Sequence, residues 1–243
     1  MLPTKNDNLI PDFPRTHART KQLQPWPTYT HASSWQYTSF SPSALPIDTG
    51  NNDYIATTVV KANFPPYGVS FPNHLPTGRF SDGRLVPDFL ASALGIRELV
   101  PPFLNPSLSD KDLRTGVSFA SAGSNFDSLT TAVSGVIPVA DQPGLFKQYV
   151  EMLKASVGEE KANKIISESL IVISAGTNDF VLNWYDLPSS RRLQFFNDIG
   201  LYQNFILEKL GDLIKVLFYL LEDDPVIRSL GISHDTVQLF RGI

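Results

Sequence analysis

The sequence predicts a three-layer α/β domain, because short apolar runs alternate along it with loops and amphipathic helices. The clearest strand lies at residues 170–173, where Leu-Ile-Val-Ile is wholly apolar and largely β-branched, as in buried parallel strands. Loop-forming residues follow it, and ligands of open α/β sheets bind beyond the carboxyl ends of strands. The amide of Asn178 is therefore placed to donate into a site. A turn in which Asn178 and Asp179 bind only their own backbone is the simpler interpretation of this stretch alone.

The elements before this strand are predicted from the Pro and Gly residues that start and stop them and from the spacing of apolar residues. Pro87 opens a helix that runs through Leu94, and Gly95 stops it. The apolar residues that share one face of this helix are Phe89, Leu90, Ala93 and Leu94. Residues 116–120, Gly-Val-Ser-Phe-Ala, alternate as a short strand and end in a loop at residues 121–124.

Three further helices are predicted at residues 144–157, 159–167 and about 201–221, from apolar residues at helical spacing. In chain order their apolar stripes are Phe146, Tyr149, Val150, Leu153 and Val157; then Ala162, Ile165 and Ile166; then Phe205, Ile206, Leu210, Leu213, Ile214 and Leu217. These stripes are core faces and contain no cofactor motif. No further strand follows the last helix, although such a helix normally crosses over to the next parallel strand.

Composition excludes several functions. A net charge of −4 without a basic stripe gives no support for a nucleic-acid partner. The chain has no cysteine, and its four histidines lie far apart, so neither a metal site nor a cofactor is expected. No transmembrane segment is expected, because no apolar run approaches the length needed to span a bilayer. No signal peptide is recognisable either, so the sequence taken literally predicts a cytoplasmic protein.

The chain divides into three predicted segments. Residues 1–46 are rich in Pro, Thr, Ser and Gln, and are predicted to be largely disordered. Residues 47–221 carry the predicted α/β domain. Residues 222–243 form a tail in which the pattern weakens.

The middle segment resembles the plant GDSL esterase/lipases, a branch of the SGNH hydrolases. Five motifs in this order carry the resemblance: Asp48-Thr49-Gly50-Asn51-Asn52, Phe64-Pro65-Pro66-Tyr67-Gly68, Pro76-Thr77-Gly78-Arg79-Phe80-Ser81-Asp82-Gly83, Gly116-Val117-Ser118-Phe119-Ala120-Ser121-Ala122-Gly123 and Gly176-Thr177-Asn178-Asp179-Phe180. The resemblance implies a flavodoxin-like parallel sheet between helices and the hydrolysis of carboxylic esters, lipid esters among them. It also implies a secreted protein, in contrast to the missing signal peptide, and end segments that do not belong to the family.

The resemblance also implies roles for individual residues. The family uses a serine activated by a histidine, which an aspartate orients, and stabilises the oxyanion with several donors. By motif, Gly123 and Asn178 match two of these oxyanion donors. The serine position is held by Leu45, which has no nucleophilic atom.

Other family features have no counterpart in the sequence. Residues 38–42, Thr-Ser-Phe-Ser-Pro, stand where the first apolar strand should be, so no strand is expected there to aim Ser41 or Ser43 at a site. The late residue His234 has Gly231, and not Asp, three positions before it, and is interpreted as an exposed histidine in a tail. The sequence is therefore interpreted as a partial SGNH sheet from a truncated or mis-spliced gene product.

Three functions remain open at this point. The chain is a GDSL esterase/lipase-like protein whose own activity is expected to be absent, because the nucleophile and the histidine motif are missing. Alternatively, it is a non-catalytic protein that binds acyl esters without cleaving them, or an unstable fragment without function. The first two functions differ in whether the chain has a nucleophile, and the motif does not supply one.

Overall fold

The computed structural model describes residues 36–40, 47–128, 131, 134–186, 196 and 198–222. The chain divides into two units, and the first, Met1–Ala32, lies wholly outside these residues. The strands are β1 (Gln36–Phe40) and β2 (Ser169–Ile173). The helices are α1 (Val86–Ala93), α2 (Asp110–Thr115), α3 (Gln142–Val157), α4 (Glu159–Ser167) and α5 (Ile199–Glu222), with a π-helix at Asp179–Asp186.

Strands β1 and β2 form a parallel pair in continuous register, from Gln36 opposite Ser169 to Phe40 opposite Ile173. The predicted strand at 170–173 is confirmed. The expectation that no strand lies within residues 38–42 is wrong, since β1 ends at Phe40. A parallel ladder is made by backbone groups, so a polar sequence can pair wherever a neighbouring strand offers an open edge.

The three predicted helices after residue 140 are confirmed as α3, α4 and α5. Their apolar stripes meet in the main core, whose buried members are Phe103, Leu113, Val117, Phe119, Val139, Phe146, Tyr149, Leu153, Ala162, Ile165, Ile166, Leu213 and Leu217. At its centre the ring of Phe119 packs edge-on against those of Phe146 and Tyr149, with centroids 5.9 and 5.8 Å away. Helix α5 also buries Tyr202 completely, which its predicted stripe omitted.

Helix α1 forms where predicted, but its predicted apolar face is wrong. Phe89 is 57% exposed and Leu94 is 39% exposed, whereas Asp88 and Ala91 are fully buried. The carboxylate of Asp88 accepts from both Nε and Nη2 of Arg79, at 2.9 Å each. It also accepts from the backbone N–H groups of Leu85 and Val100. Burying this hydrogen-bonded ion pair turns the helix away from the face that periodicity indicates, because a buried charge requires its partners.

The predicted strand at 116–120 is wrong as well. Among the described residues this segment makes only an isolated parallel bridge, between Pro102 and Ser118. The carbonyls of Ser118 and Ala120 and the N–H of Ala120 are bound by side chains. The described sheet therefore has two strands, and β2 is only half-buried along most of its length. In the part of the chain that the structure describes, no helix is long and apolar enough to cross a membrane.

Candidate active site

Gly123 and Asn178 lie in the walls of one cleft of about 300 Å³. The other lining residues are apolar except for Ser134: they are Val60, Phe80, Ala122, Ser134 and Leu182. The motifs predict that Gly123 and Asn178 lie at the carboxyl ends of adjacent parallel strands and face one cleft. Both residues do line this cleft, but only Asn178 follows a strand, since residues 116–120 form none. A concave, largely apolar site with a few convergent polar groups is the usual form of a small-molecule site.

Asn178 lies just beyond β2, where the chain turns directly into a helical segment. Its side chain is 8% exposed, and its Nδ2 donates to the carbonyl of Ser124 at 3.2 Å. The carboxylate of Asp179 accepts from the backbone N–H groups of Phe126 and Asp127, at 3.1 and 2.8 Å. The partners of both side chains lie more than 50 residues earlier. The interpretation of this stretch as a purely local turn is therefore wrong.

Gly123 adopts φ +88°, in the left-handed region that favours glycine. An added Cβ would lie 3.7 and 3.8 Å from methyl groups of Val136 and Val60, which is ordinary van der Waals contact. The backbone conformation at Gly123, more than the space around it, is therefore what requires glycine. This conformation sets the direction of the peptide groups that line the cleft.

The Gly123 segment is fixed from one side by Asp48. Oδ1 of Asp48 accepts from the backbone N–H groups of Gly50 and Asn51, at 2.8 and 2.7 Å. Its Oδ2 accepts from the N–H of Ala122 at 3.0 Å. Burial raises the pKa of Asp48 to about 6, against the opposing effect of these backbone hydrogen bonds.

Asn51 and Asn52 complete this support. Nδ2 of Asn51 donates to the carbonyls of Ser118 and Ala120, at 2.8 Å each. Nδ2 of Asn52 donates to the carbonyl of Ala122 at 2.9 Å. The amide of Asn51 thus occupies the carbonyl of Ala120 and shares that of Ser118 with the backbone N–H of Phe103, so side chains bind acceptors that a neighbouring strand could use. These supporting roles of Asp48, Asn51 and Asn52 were not predicted, although all three stand in the first of the five motifs.

Two glycine motifs pack against each other beside Asp48. A Cβ on Gly78 would lie 2.7 Å from Cα of Gly50, and one on Gly50 would lie 2.9 Å from the carbonyl oxygen of Thr77. Both glycines have positive φ, +79° and +123°. Arg79 follows directly and donates from Nη2 to the carbonyl of Val100 at 2.7 Å. The motifs around Gly50 and Gly78 therefore form one rigid unit behind the cleft.

A second polar network lies behind Asn178. Asp179 is fully buried, and burial, with a smaller effect of the nearby Asp127 carboxyl, raises its pKa to about 6. The hydroxyl of Tyr202 lies 3.4 Å from Oδ2 of Asp127 and 3.3 Å from the carbonyl oxygen of Asp179. Asn183 donates from Nδ2 to the same hydroxyl at 3.1 Å. Helix α5 thereby supports the segment that carries Asn178.

The remaining predicted site residues, Leu45, Ser41, Ser43 and His234, lie outside the described residues. Within the described ranges, no group of three or more acidic, histidine or cysteine side chains is arranged to hold a metal ion.

The fold and the site together define a class of protein. The chain is an α/β protein in which a glycine and an asparagine line one cleft next to a parallel strand. Residues 61–198 match the family described as GDSL-like lipase/acylhydrolase. This match covers more than half of the chain, and the chain belongs to the GDSL lipase/acylhydrolase family, whose fold is the α/β fold of SGNH hydrolases.

The chain is also similar to named plant proteins. It is 52% identical to GDSL esterase/lipase At1g06990 of Arabidopsis thaliana over 174 residues, which is 71% of this chain and 47% of the relative. It is 50% identical to GDSL esterase/lipase At2g30220 of the same plant over 173 residues, 71% of this chain and 48% of the relative. The chain thus spans about half the length of the curated relatives it matches. No solved structure matches it.

Proposed function

We propose that the cleft between Gly123 and Asn178 binds the carbonyl of a carboxylic ester, the substrate class of esterases and lipases. The observation that supports this is the convergence of the two residues on one largely apolar cleft. The ester oxygen accepts from the backbone N–H of Gly123 and from the amide of Asn178, and the acyl chain lies along the apolar lining. Donors of this kind, held in place before the ligand arrives, stabilise developing negative charge on oxygen.

We infer further that β1 and β2 belong to a three-layer, flavodoxin-like sheet. The parallel register of the pair supports this inference. In such a sheet the loops after neighbouring parallel strands form a common ligand-binding edge, which is where Asn178 follows β2.

The chemistry expected of this chain is ester binding without hydrolysis. Hydrolysis in the family starts when a serine oxygen attacks the ester carbonyl and a histidine takes the serine proton. Leu45 holds the serine position, and its side chain has neither a nucleophilic atom nor a transferable proton. The oxyanion donors can then polarise a bound carbonyl, but no acyl-enzyme forms.

Hydrolysis by a substitute serine is the competing function. It rests on Ser41 and Ser43, which precede the position that matches the family's serine by four and two residues in the sequence. The two functions differ in a single measurement, the release of p-nitrophenol from a short-chain p-nitrophenyl ester.

The proposal is tested with methyl butyrate as the probe, by saturation-transfer NMR on the full chain. The variant Asn178→Asp replaces the amide donor with a carboxylate, and we expect it to weaken binding roughly tenfold, the effect of about 1.4 kcal/mol. Asn204→Asp makes the same substitution at an exposed position of α5 and should leave binding unchanged. Equal binding by both variants and the unaltered chain would overturn the proposal.

A further inference from the structure

Asp179 connects the segment that carries Asn178 to the segment that follows Gly123. Its backbone adjoins Asn178, while its carboxylate is bound to the opposite segment, through the N–H groups of Phe126 and Asp127. Asn178 reaches the same segment through the carbonyl of Ser124. Three hydrogen bonds thus connect residues 178–179 with residues 124–127. Gly123 immediately precedes that segment, so these bonds act on the spacing between its N–H and the Asn178 amide.

The carboxylate of Asp179 is suited to hold this spacing because each of its two oxygens accepts a backbone hydrogen bond. Oδ2 accepts from Phe126 and Oδ1 accepts from Asp127, in a side chain that is fully buried. An amide in its place offers one oxygen and one NH2 group, and the NH2 group would face a backbone donor. Hydrogen bonds to a charged acceptor are stronger than neutral ones, and a buried donor left unmatched is destabilising.

The backbone of Asp179 is held by α5. The hydroxyl of Tyr202 contacts the backbone carbonyl of Asp179 at 3.3 Å and receives a hydrogen bond from Asn183. The ring of Tyr202 stacks on that of Trp184, with centroids 5.4 Å apart. The backbone of Asp179 is thereby held against one element while its carboxylate holds another, so the residue connects α5 to the Gly123 side of the cleft.

We propose that Asp179 is a positioning residue, which sets the relative placement of the Gly123 N–H and the Asn178 amide as a pair of donors. This proposal rests on the proposed function, since it is the ester carbonyl that the pair receives. Asp179 itself does not touch the ester. It acts through the segment 124–127 on one side and through its neighbour Asn178 on the other.

The test uses Asp179→Asn, which keeps size and shape but removes one acceptor. The matched control is Asp212→Asn on α5, where the carboxylate is 49% exposed and pairs with Lys209 and Lys215 at the surface. Both variants are labelled with nitrogen-15. The resonances of the Gly123 N–H and the Asn178 side-chain amide are recorded first without ligand and then during titration with methyl butyrate.

Without ligand, we expect Asp179→Asn to shift both reporter resonances and to increase the hydrogen-exchange rates of the Phe126 and Asp127 amides at least tenfold, which corresponds to weaker hydrogen bonds at that site. Asp212→Asn should change none of them. If both reporters keep their positions in Asp179→Asn, the positioning role is refuted, whatever happens to stability. This readout does not depend on whether the cleft binds esters.

With methyl butyrate, we expect the Gly123 and Asn178 reporters of the unaltered chain to titrate with one dissociation constant. In Asp179→Asn that constant should rise roughly tenfold. Equal affinity in the two proteins would overturn the positioning role and leave the proposed function intact. If the unaltered chain binds no ester while the ligand-free shifts occur, the proposed function fails and the placement of the two donors by Asp179 stands.

A second measurement on the unaltered chain covers the case in which Asp179→Asn does not fold. The carboxyl carbons of Asp179, of Asp127 within the segment 124–127, and of Asp48, which binds the N–H of Ala122, are followed by NMR as pH is varied. We expect the Gly123 and Asn178 reporters to shift together with the carboxyl carbon of Asp179. Reporters that follow only Asp48 or Asp127, or that do not move, would overturn the proposal.

Discussion

The carboxylate of Asp48 accepts a hydrogen bond from the backbone N–H of Ala122 at 3.0 Å, across 74 residues of sequence. Ala122 directly precedes Gly123, so this single contact joins the first family motif to the residue that lines the cleft. With Asp179 bound to residues 126 and 127, the Gly123 segment is held at both ends by buried carboxylates. Two buried carboxyl groups therefore hold the segment that lines the cleft.

This arrangement predicts a stability that falls as pH rises. The pKa values of Asp48 and Asp179 are raised by burial to about 6, from a usual value of 3.8. Between these values the folded chain binds more protons than the unfolded chain, so unfolding becomes easier as pH increases through 6. Asp112, whose pKa is lowered, completes its titration below this window and does not reverse the trend.

The measurement is urea unfolding of the full chain at several pH values between 4.5 and 7.5. We expect the midpoint to decrease with pH, and the decrease to be smaller in Asp48→Asn, which cannot ionise at that position. The exposed-site variant Asp212→Asn should keep the slope of the unaltered chain. A midpoint that rises across this range would contradict the prediction.

The contact between Gly50 and Gly78 predicts a large effect of one methyl group. In Gly78→Ala the new Cβ would lie 2.7 Å from Cα of Gly50, at a residue with φ +79°. Overpacking of this kind, together with the left-handed backbone, should destabilise the fold by about 2–4 kcal/mol. Thermal or urea unfolding gives the value. Gly144→Ala is the control, because a Cβ there meets nothing within 4 Å, and it should be neutral or slightly stabilising.

The buried ion pair of Arg79 and Asp88 predicts that the folding free energy depends strongly on the Arg79 guanidinium. Arg79→Met leaves the Asp88 carboxylate buried without its cation, and should cost about 3–5 kcal/mol of folding free energy. Arg84→Met removes a surface partner of Glu98, which is 71% exposed, and should cost less than about 1 kcal/mol. Similar losses in the two variants, measured by urea unfolding, would show that the Arg79 pair contributes no more than a surface contact.

The leucine at the position that matches the family's serine predicts how Leu45→Ser behaves. This substitution places a hydroxyl there, but a hydroxyl is weakly nucleophilic until a histidine takes its proton, and His234 does not match the family's histidine motif. We therefore expect neither the unaltered chain nor Leu45→Ser to hydrolyse p-nitrophenyl butyrate faster than a heat-treated sample. Hydrolysis by the unaltered chain that disappears in Ser41→Ala or Ser43→Ala would identify a substitute nucleophile.

Local patterns predicted the helices well. The spacing of Phe146, Tyr149 and Leu153 was sufficient to predict α3, and the run at 170–173 was sufficient to predict β2, because both signals lie within one element. Helix α2 was not predicted, although Ser109 and Asp112 form a capping box at its start. That short-range signal was present in the sequence and was overlooked.

The sequence by itself determined the family, the positions of α3, α4, α5 and β2, and the motifs that contain Gly123 and Asn178. Only the tertiary structure decided that β1 pairs with β2 and that 116–120 is not a strand. It also decided that, on α1, the side chain of Asp88 and not that of Phe89 faces the protein interior. The physical reason is the same in each case. Periodicity reports what a segment prefers alone, whereas these outcomes depend on which distant donor or acceptor completes a buried backbone group or charge.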